Sequence, residues 1–260
     1  MFRKKASIQI KSADQLAVMR QAGLVVATAL KAVSEAVRPG VTTADLDAIA
    51  HQVMRDASAT PSFLGYHGYP AAICASINEE VVHGIPSPRR LLEGDLISID
   101  CGAIVDGWHG DAAVSVFVGE PSTEIAELSR VTEASMWAGL AQARAGNHLS
   151  DIGHAIENCI RSQSDYGIVE EYSGHGIGTS MHMPPSIPNY GEPGHGPLLK
   201  VGMALAIEPM ATLGSPVVEV LADGWTVVTS DRAWASHWEH TVAITEDGPW
   251  ILTSLDEVRL

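Results

Sequence analysis

Asp100 and Asp111 stand eleven residues apart in the run L-I-S-I-D-C-G-A-I-V-D-G-W-H-G-D-A-A-V-S-V. Between them, Asp106-Gly107 is the two-residue signal of a type I′ turn, so the run predicts a tight β-hairpin. With that turn Asp111 faces Gly102, which leaves room for it, and Asp100 lies diagonally across on the same face, about 7–8 Å away. A single aspartate in a strand usually sits on a solvated face. Here the flanking runs, Leu96-Ile97-Ser98-Ile99 and Ala112 to Val118, are too apolar for a surface hairpin. The aspartates are therefore expected on a buried, otherwise apolar sheet face. Two carboxylates in such a place repel each other and are costly to bury unless a cation lies between them.

A buried cation needs further ligands, and candidates lie downstream. His175 sits among glycines in S-G-H-G-I-G, where no neighbouring side chain shields the imidazole. Glu208 closes the apolar run A-L-A-I-E-P-M, just before a proline that cannot continue a central ladder. Glu239 opens the next apolar run in H-W-E-H-T-V-A-I. Four carboxylates and one imidazole suit one or two divalent ions of hard to borderline character, and do not suit a thiolate structural zinc. The chain has no H-E-x-x-H and no C-x-x-C, so neither a zincin nor a zinc finger is indicated.

Six motifs accompany these residues in order: F-L-G-Y-H-G-Y-P (63–70), S-I-N-E-E-V-V-H-G-I-P (76–86), D-G-W-H-G-D (106–111), G-H-G-I-G (174–178), I-E-P-M (207–210) and W-E-H-T-V (238–242). Together they resemble the type I methionine aminopeptidases, which are pita-bread metallopeptidases, over essentially residues 12–253. The resemblance implies an α+β fold: two pseudo-symmetric α/β halves around a curved, mainly antiparallel sheet, with helices outside and metals in the central cleft. It implies two divalent ions (Co, Mn, Fe or Zn, with availability deciding). Asp100 would bridge or chelate one ion, Asp111 would bind both, His175 and Glu208 would complete one shell, and Glu239 would bridge. Such ions activate a water for attack on a peptide carbonyl, and Glu208 would carry a proton from that water to the leaving amine.

The same resemblance places His83 and His182 outside the metal shell. One would contact the scissile amide nitrogen and the other would stabilise the oxyanion. Tyr66, Tyr69, Cys74 and Trp225 match the dry, mostly aromatic pocket for a methionine thioether, where each sulfur–ring contact contributes about 0.3–1.5 kcal/mol. Phe63 matches the gate beside the second substrate residue. Met181 departs from the aromatic residue common at its position. His67 and His109 lie inside motifs and are read as loop-shaping, Cys101 as core, and His51, His148, His154 and His195 as structural. The implied activity is removal of the initiator methionine from nascent polypeptides with a small second residue. Two rival readings are an Xaa-Pro aminopeptidase or prolidase, which usually carries an extra N-terminal domain, and a non-catalytic peptide-binding relative, which would have lost metal ligands.

Composition bounds these expectations. At 260 residues and 46% apolar, with mean hydropathy +0.10, the chain can bury a large core. A net charge of −15 argues against a nucleic-acid surface. No run approaches the roughly 20 apolar residues of a membrane span, and no signal-peptide h-region follows the basic start Arg3-Lys4-Lys5. Three unclustered cysteines fit reduced thiols, so the expectation is a cytoplasmic monomer. The basic start is read as a frayed terminus, with transient ribosome docking as a secondary role.

The elements that must position the site follow from periodicity. A capping box at Ser12-Ala13-Asp14-Gln15 opens a helix that stops at Pro39-Gly40, and a second helix opens near Thr42/Thr43. Strands are expected around 73–78, 81–83, 96–101 and 112–118, then helices over 122–144 and 150–163. The restart carries a weak internal repeat, pairing Arg38-x-Gly40 with Arg144-x-Gly146, Asp45-Leu46 with Asp151-Ile152, and Tyr66-x-Gly68 with Tyr172-x-Gly174. The division expected is a basic segment over 1–11 and one catalytic domain over 12–260, with half-repeats near 12–118 and 122–250. The Pro/Gly-rich loop 184–197 is expected to close near the site.

Overall fold

The computed structural model describes residues 7–260. The basic cluster at 3–5 lies outside the described residues. The expected helices form within a residue or two of their signals: α1 over Ala13–Ala36, α2 over Thr43–Asp56, α3 over Thr123–Gln142 and α4 over Ser150–Arg161. Ser12 and Gln15 make the reciprocal capping box of α1, with Ser12 N–H donating to the Gln15 side chain and Gln15 N–H to Ser12 Oγ. Thr42 and Asp45 do the same for α2. In each case two otherwise orphaned N–H groups are satisfied locally, which fixes where the helix starts.

Helix α1 is long and apolar, and it is a core helix. By length and composition it is apolar enough to cross a membrane. Its Ala, Gly and Val residues raise the mean hydropathy without forming one unbroken apolar run. Leu16, Met19, Val26, Leu30 and Val33 are instead buried in the core.

Among the described residues, ten strands form one antiparallel sheet. Along its main path Thr60–Pro61, Leu96–Val105, Trp108–Phe117, Glu239–Thr245, Ala204–Ile207, Gly174–Gly176 and Met183–Ile187 lie side by side, and Ile73–Ile77 pairs with Leu96–Val105 as well. The hairpin is as its turn signal requires. Asp106 and Gly107 have φ of 48° and 79°, and the register runs unbroken from Val105↔Trp108 to Leu96↔Phe117. A type I′ turn needs positive φ at both central residues, and Asp-Gly supplies it at low cost.

The two faces of the hairpin are not as expected. The apolar residues Ile97, Ile99, Cys101, Ala103 and Ala112 point away from the aspartates and join α1 and α2 in a core cluster. The face bearing Asp100 and Asp111 also carries Ser98, His109 and Ser115, because these positions share its period-2 parity. The carboxylates therefore stand on a polar, buried face backed by an apolar one.

Helix α1 reaches the hairpin through glycine. A Cβ on Gly110 would lie 2.8 Å from the Gly23 nitrogen, and a Cβ on Gly23 would collide with the Leu252 carbonyl. This close approach seats α1 directly behind Asp111. Residues 9–11, expected to fray, also pack here: Lys11 N–H donates to Gly202 O at 2.7 Å, and Gln9 bonds to Thr179.

The seam predicts a sign. At an exposed helical site Gly→Ala stabilises by about 0.5–1 kcal/mol. Gly23→Ala should instead destabilise by about 1–3 kcal/mol through overpacking, read from the midpoint of urea unfolding. A stabilised variant would mean that α1 does not sit this close.

Candidate metal centre

The five proposed ligands arise from five neighbouring strands. Asp100↔Ala113↔Glu239 forms one row across the sheet, and Glu208 follows directly after Ile207, the partner of His240. In the adjacent row Asp111 faces Gly102, while Thr241 pairs with Ala206 and Ala206 with His175. Thr241 ties this row together: its hydroxyl donates to Asp111 O at 2.7 Å and accepts from Asp111 N–H at 3.1 Å. Small residues, Ala113 and Ala206, stand between the ligands and leave the space in front of them open. Gly102 has a different use from the one expected. A Cβ there would meet Ser62 and Phe63 at 2.8 and 2.9 Å, so the space opposite Asp111 is taken by the chain that carries Phe63.

Ligand atoms of Asp111, His175 and Glu239 all lie within 4.8 Å of one another. His175 Nε2 is 3.5 Å from Glu208 Oε1 and 3.9 Å from Asp111 Oδ2. The tautomer is decided by the other ring nitrogen. Nδ1 lies 3.1 Å from the Gly176 carbonyl, which can only accept, so Nδ1 carries the proton. Burial holds the imidazole down to about 3, so it is neutral at pH 7 and its Nε2 lone pair faces the carboxylates. That is the form in which a histidine binds a metal.

The carboxylates have no cationic partner among the described side chains. Asp100 Oδ1, Asp111 Oδ1 and Glu239 Oε1 are buried and accept no hydrogen bond. Burial pushes Asp100 up to about 7. Asp111 is raised well above its ordinary range by burial and then by the charges of Glu239 and Asp100. Glu208 and Glu239 are raised in the same way, by burial first and then by their acidic neighbours. Orphaned oxygens, a neutral imidazole lone pair and mutual repulsion are the features a divalent cation would reconcile, so the donor set fits the two ions expected.

A cavity opens in front of these groups. It is lined by all five candidate ligands and by Phe63, Tyr66, Tyr69, Cys74, Met181, His182, His83 and Trp225, so the structure brings every expected site residue together. Met181 is buried with Phe63, Tyr69 and Cys74, and Tyr66 and Trp225 pack against that cluster. Tyr69 Oη donates towards the Ile73 and Gly84 carbonyls, leaving its ring edge-on to Phe63 and Trp225. His83 and His182 are each paired with a tyrosine. His182 Nδ1 lies 2.9 Å from Tyr66 Oη, and the His83 ring is stacked edge-on 5.5 Å from Tyr172. Burial lowers both histidines, His83 to about 4.

Val82 and Tyr172 also line the cavity and were not foreseen, although the repeat had already matched Tyr172 to Tyr66. His237 is a further omission. It is buried, its Nε2 has no hydrogen-bond partner and lies 3.7 Å from Glu208 Oε2. Its one local cue is the spacing of two from Glu239, which is too common a pattern to single it out. His109 belongs to a strand rather than a loop, on the Asp111 face, with Nδ1 2.9 Å from Ser62 Oγ. His148 and His154 bond to the Gly196 and Gly191 carbonyls and do not line the cavity.

The profile of metallopeptidase family M24 matches residues 17–246. The chain belongs to that family. Among M24 relatives, it is 54% identical to methionine aminopeptidase 1 of Mycobacterium tuberculosis over 97% of each chain. It is 48% identical to methionine aminopeptidase 1 of Bacillus subtilis, over 94% of this chain and 98% of that one. The crystal structure of a methionine aminopeptidase from Thermotoga maritima superposes with a TM-score of 0.93 at 42% identity, covering 95% of this chain and 100% of that one. The buried Asp–His–Glu cluster of this M24 chain thus stands in a family of metal-dependent hydrolases.

The raised carboxyls predict how a cation binds. A carboxyl held above its ordinary range is protonated near and below neutrality, so an incoming cation must displace protons. Calorimetric titration with Mn²⁺ in buffers of different ionisation heat should show proton release at pH 7, with affinity falling from pH 8 to pH 6. Asp111→Asn should bind at least tenfold more weakly. Binding without proton release, or independent of pH, would contradict the assignment.

Proposed function

We propose that the chain is a metal-dependent aminopeptidase that removes an N-terminal methionine from nascent polypeptides with a small second residue, in the cytoplasm. One observation carries the metal assignment: the His175 tautomer aims an unprotonated Nε2 at a cluster of carboxylates that have no cationic partner among the described side chains. Asp100, Asp111, His175, Glu208 and Glu239 would hold two divalent ions. Ions bound there supply Lewis acidity, which lowers the pKa of water and polarises a carbonyl.

The chain's own residues divide the remaining work. Glu208 keeps 14% of its side chain accessible, which suits a carboxylate that takes a proton from water and passes it to the leaving amine. His83 and His182 are neutral at pH 7, so each ring offers one donor and one acceptor nitrogen: one would contact the scissile amide nitrogen and the other would donate its N–H to the developing oxyanion. Donation from Tyr66 Oη to His182 Nδ1, 2.9 Å away, would keep the histidine proton on Nε2. Tyr66, Tyr69, Cys74, Met181 and Trp225 would enclose the methionine thioether, and Phe63 would limit the second residue. We read 12–260 as one catalytic domain of two half-repeats. Tyr66 of the first half faces His182 of the second, and Tyr172 of the second faces His83 of the first.

Specificity follows from that enclosure. With saturating Mn²⁺, Met-Ala-Ser should be hydrolysed at least tenfold faster, in kcat/KM, than Leu-Ala-Ser or Met-Phe-Ser, because one methylene-scale misfit in an apolar pocket is worth about 1–3 kcal/mol. His182→Ala should lower kcat by about 10²–10³. Rapid turnover of Xaa-Pro dipeptides without a methionine preference would favour a prolidase instead.

A further inference from the structure

Between His175 and His182 the chain makes a short loop, and what holds that loop comes from the far end of the sequence. Gln9 Nε2 donates to Thr179 Oγ1 at 3.0 Å, and Thr179 N–H donates back to Gln9 Oε1 at 3.4 Å. The amide therefore grips one residue twice, across 170 positions of sequence. Lys11 braces the grip: its Nζ donates to Gln9 O at 3.3 Å, and its side chain is buried against Gly178. A Cβ at Gly178 would collide with Gln9 Oε1, and one at Gly202 would run into Ile10 and Lys11, so both glycines are places where residues 9–11 press on the backbone. Lys11 N–H to Gly202 O, at 2.7 Å, fastens the same segment to the turn that leads into the strand Ala204–Ile207, just before Glu208.

On the other side, His109 N–H donates to Gly178 O at 2.9 Å, and Gly178 N–H donates to Ser180 O. The loop is thus clamped between the strand that carries Asp111 and the segment before α1. Thr179 and Ser180 are exposed and have no core of their own, whereas the next two residues, Met181 and His182, line the cavity. We propose that residues 9–11 act as a strap, with Gln9 as a positioning residue that sets Met181 and His182 through Thr179. The catalytic side of this inference rests on the aminopeptidase reading above. The mechanical side does not.

The strap touches neither the candidate ligands nor the substrate cavity. Its loss should therefore leave metal content alone and loosen only the loop. In Gln9→Ala, amide exchange over 178–182, and at His109 whose N–H is bonded to Gly178 O, should accelerate at least tenfold while the other amides of the 96–117 hairpin stay unchanged. The kcat for Met-Ala-Ser should fall about tenfold, as expected for a group held off its productive position, and the preference over Leu-Ala-Ser should narrow. Thr179→Ala should match it, Gln9→Ala/Thr179→Ala should be no worse than either, and Thr179→Ser, which keeps the hydroxyl, should restore turnover. A merely structural strap would lower the thermal midpoint and leave kcat and selectivity at 25 °C as in the parent protein, which would overturn the proposal. Unchanged exchange over 178–182 in Gln9→Ala would overturn it as well. An inactive parent enzyme would count against the aminopeptidase reading, and the exchange comparison would still decide whether the strap holds the loop.

Discussion

Four carboxyl groups, Asp111 and Glu239 buried and Asp100 and Glu208 half-buried, gather around the His175 imidazole with no lysine or arginine beside them among the described residues. They are the constraint on which the rest of this molecule depends. Two unit charges 4–5 Å apart at an effective dielectric near 20 repel by about 3–4 kcal/mol. A domain's whole stability is only about 5–15 kcal/mol, so several such pairs cannot stay ionised together without a cation. Their raised pKa values express the same fact: in the absence of an ion the cluster keeps protons.

The surrounding architecture is arranged to keep those groups close. Each ligand comes from a different strand or strand end, so its position is set by backbone ladders rather than by loops, which gives the precision a metal site needs. Thr241 locks the backbone of Asp111. Ser98, Ser115 and Ser236 form a buried chain of hydroxyls that also accepts the His237 N–H. These hydroxyls satisfy polar groups on the carboxylates' own face without adding charge. The glycine seam between α1 and the hairpin closes the other side. The substrate side, in contrast, is built from loops: His83 has a positive φ of 61°, and His182 follows the loop held by Gln9. Rigid strands hold the proposed ligands, and braced loops hold the groups that would meet the substrate.

Much of this was legible in the sequence where the physics is local. The turn pair Asp106-Gly107 and the period of two placed Asp100 and Asp111 on one face, because hairpin register leaves no freedom once the turn is known. The capping box at Ser12–Gln15 placed α1, and the Thr42/Thr43 start placed α2. His175, Glu208 and Glu239 could be proposed from their residue type and apolar surroundings, but their adjacency depends on a non-local strand order that brings 239–245 beside 108–117. Only family resemblance carried that information. Residues 97, 99 and 101 were apolar as noted, yet their parity sends them to the helices, and the aspartates' own face proved polar. His237 was overlooked because one more histidine near an acidic strand end has no distinctive local pattern. The strap at 9–11 was missed for the same reason: a polar segment before a helix reads as a frayed end unless its partner, 170 residues away, is known.

The central claim is that a cation reconciles these buried carboxylates. The most direct test compares thermal unfolding of the metal-free and Mn²⁺-loaded protein at pH 7.5 in the parent chain and in Glu239→Gln. The parent should be strongly stabilised by Mn²⁺. Metal-free Glu239→Gln should be at least as stable as the metal-free parent, because one buried carboxyl no longer has to be either ionised or protonated on folding, and should gain little from the ion. A parent whose unfolding ignores Mn²⁺, together with a Glu239→Gln variant that is destabilised without metal, would show that the carboxylates are held by something other than a cation.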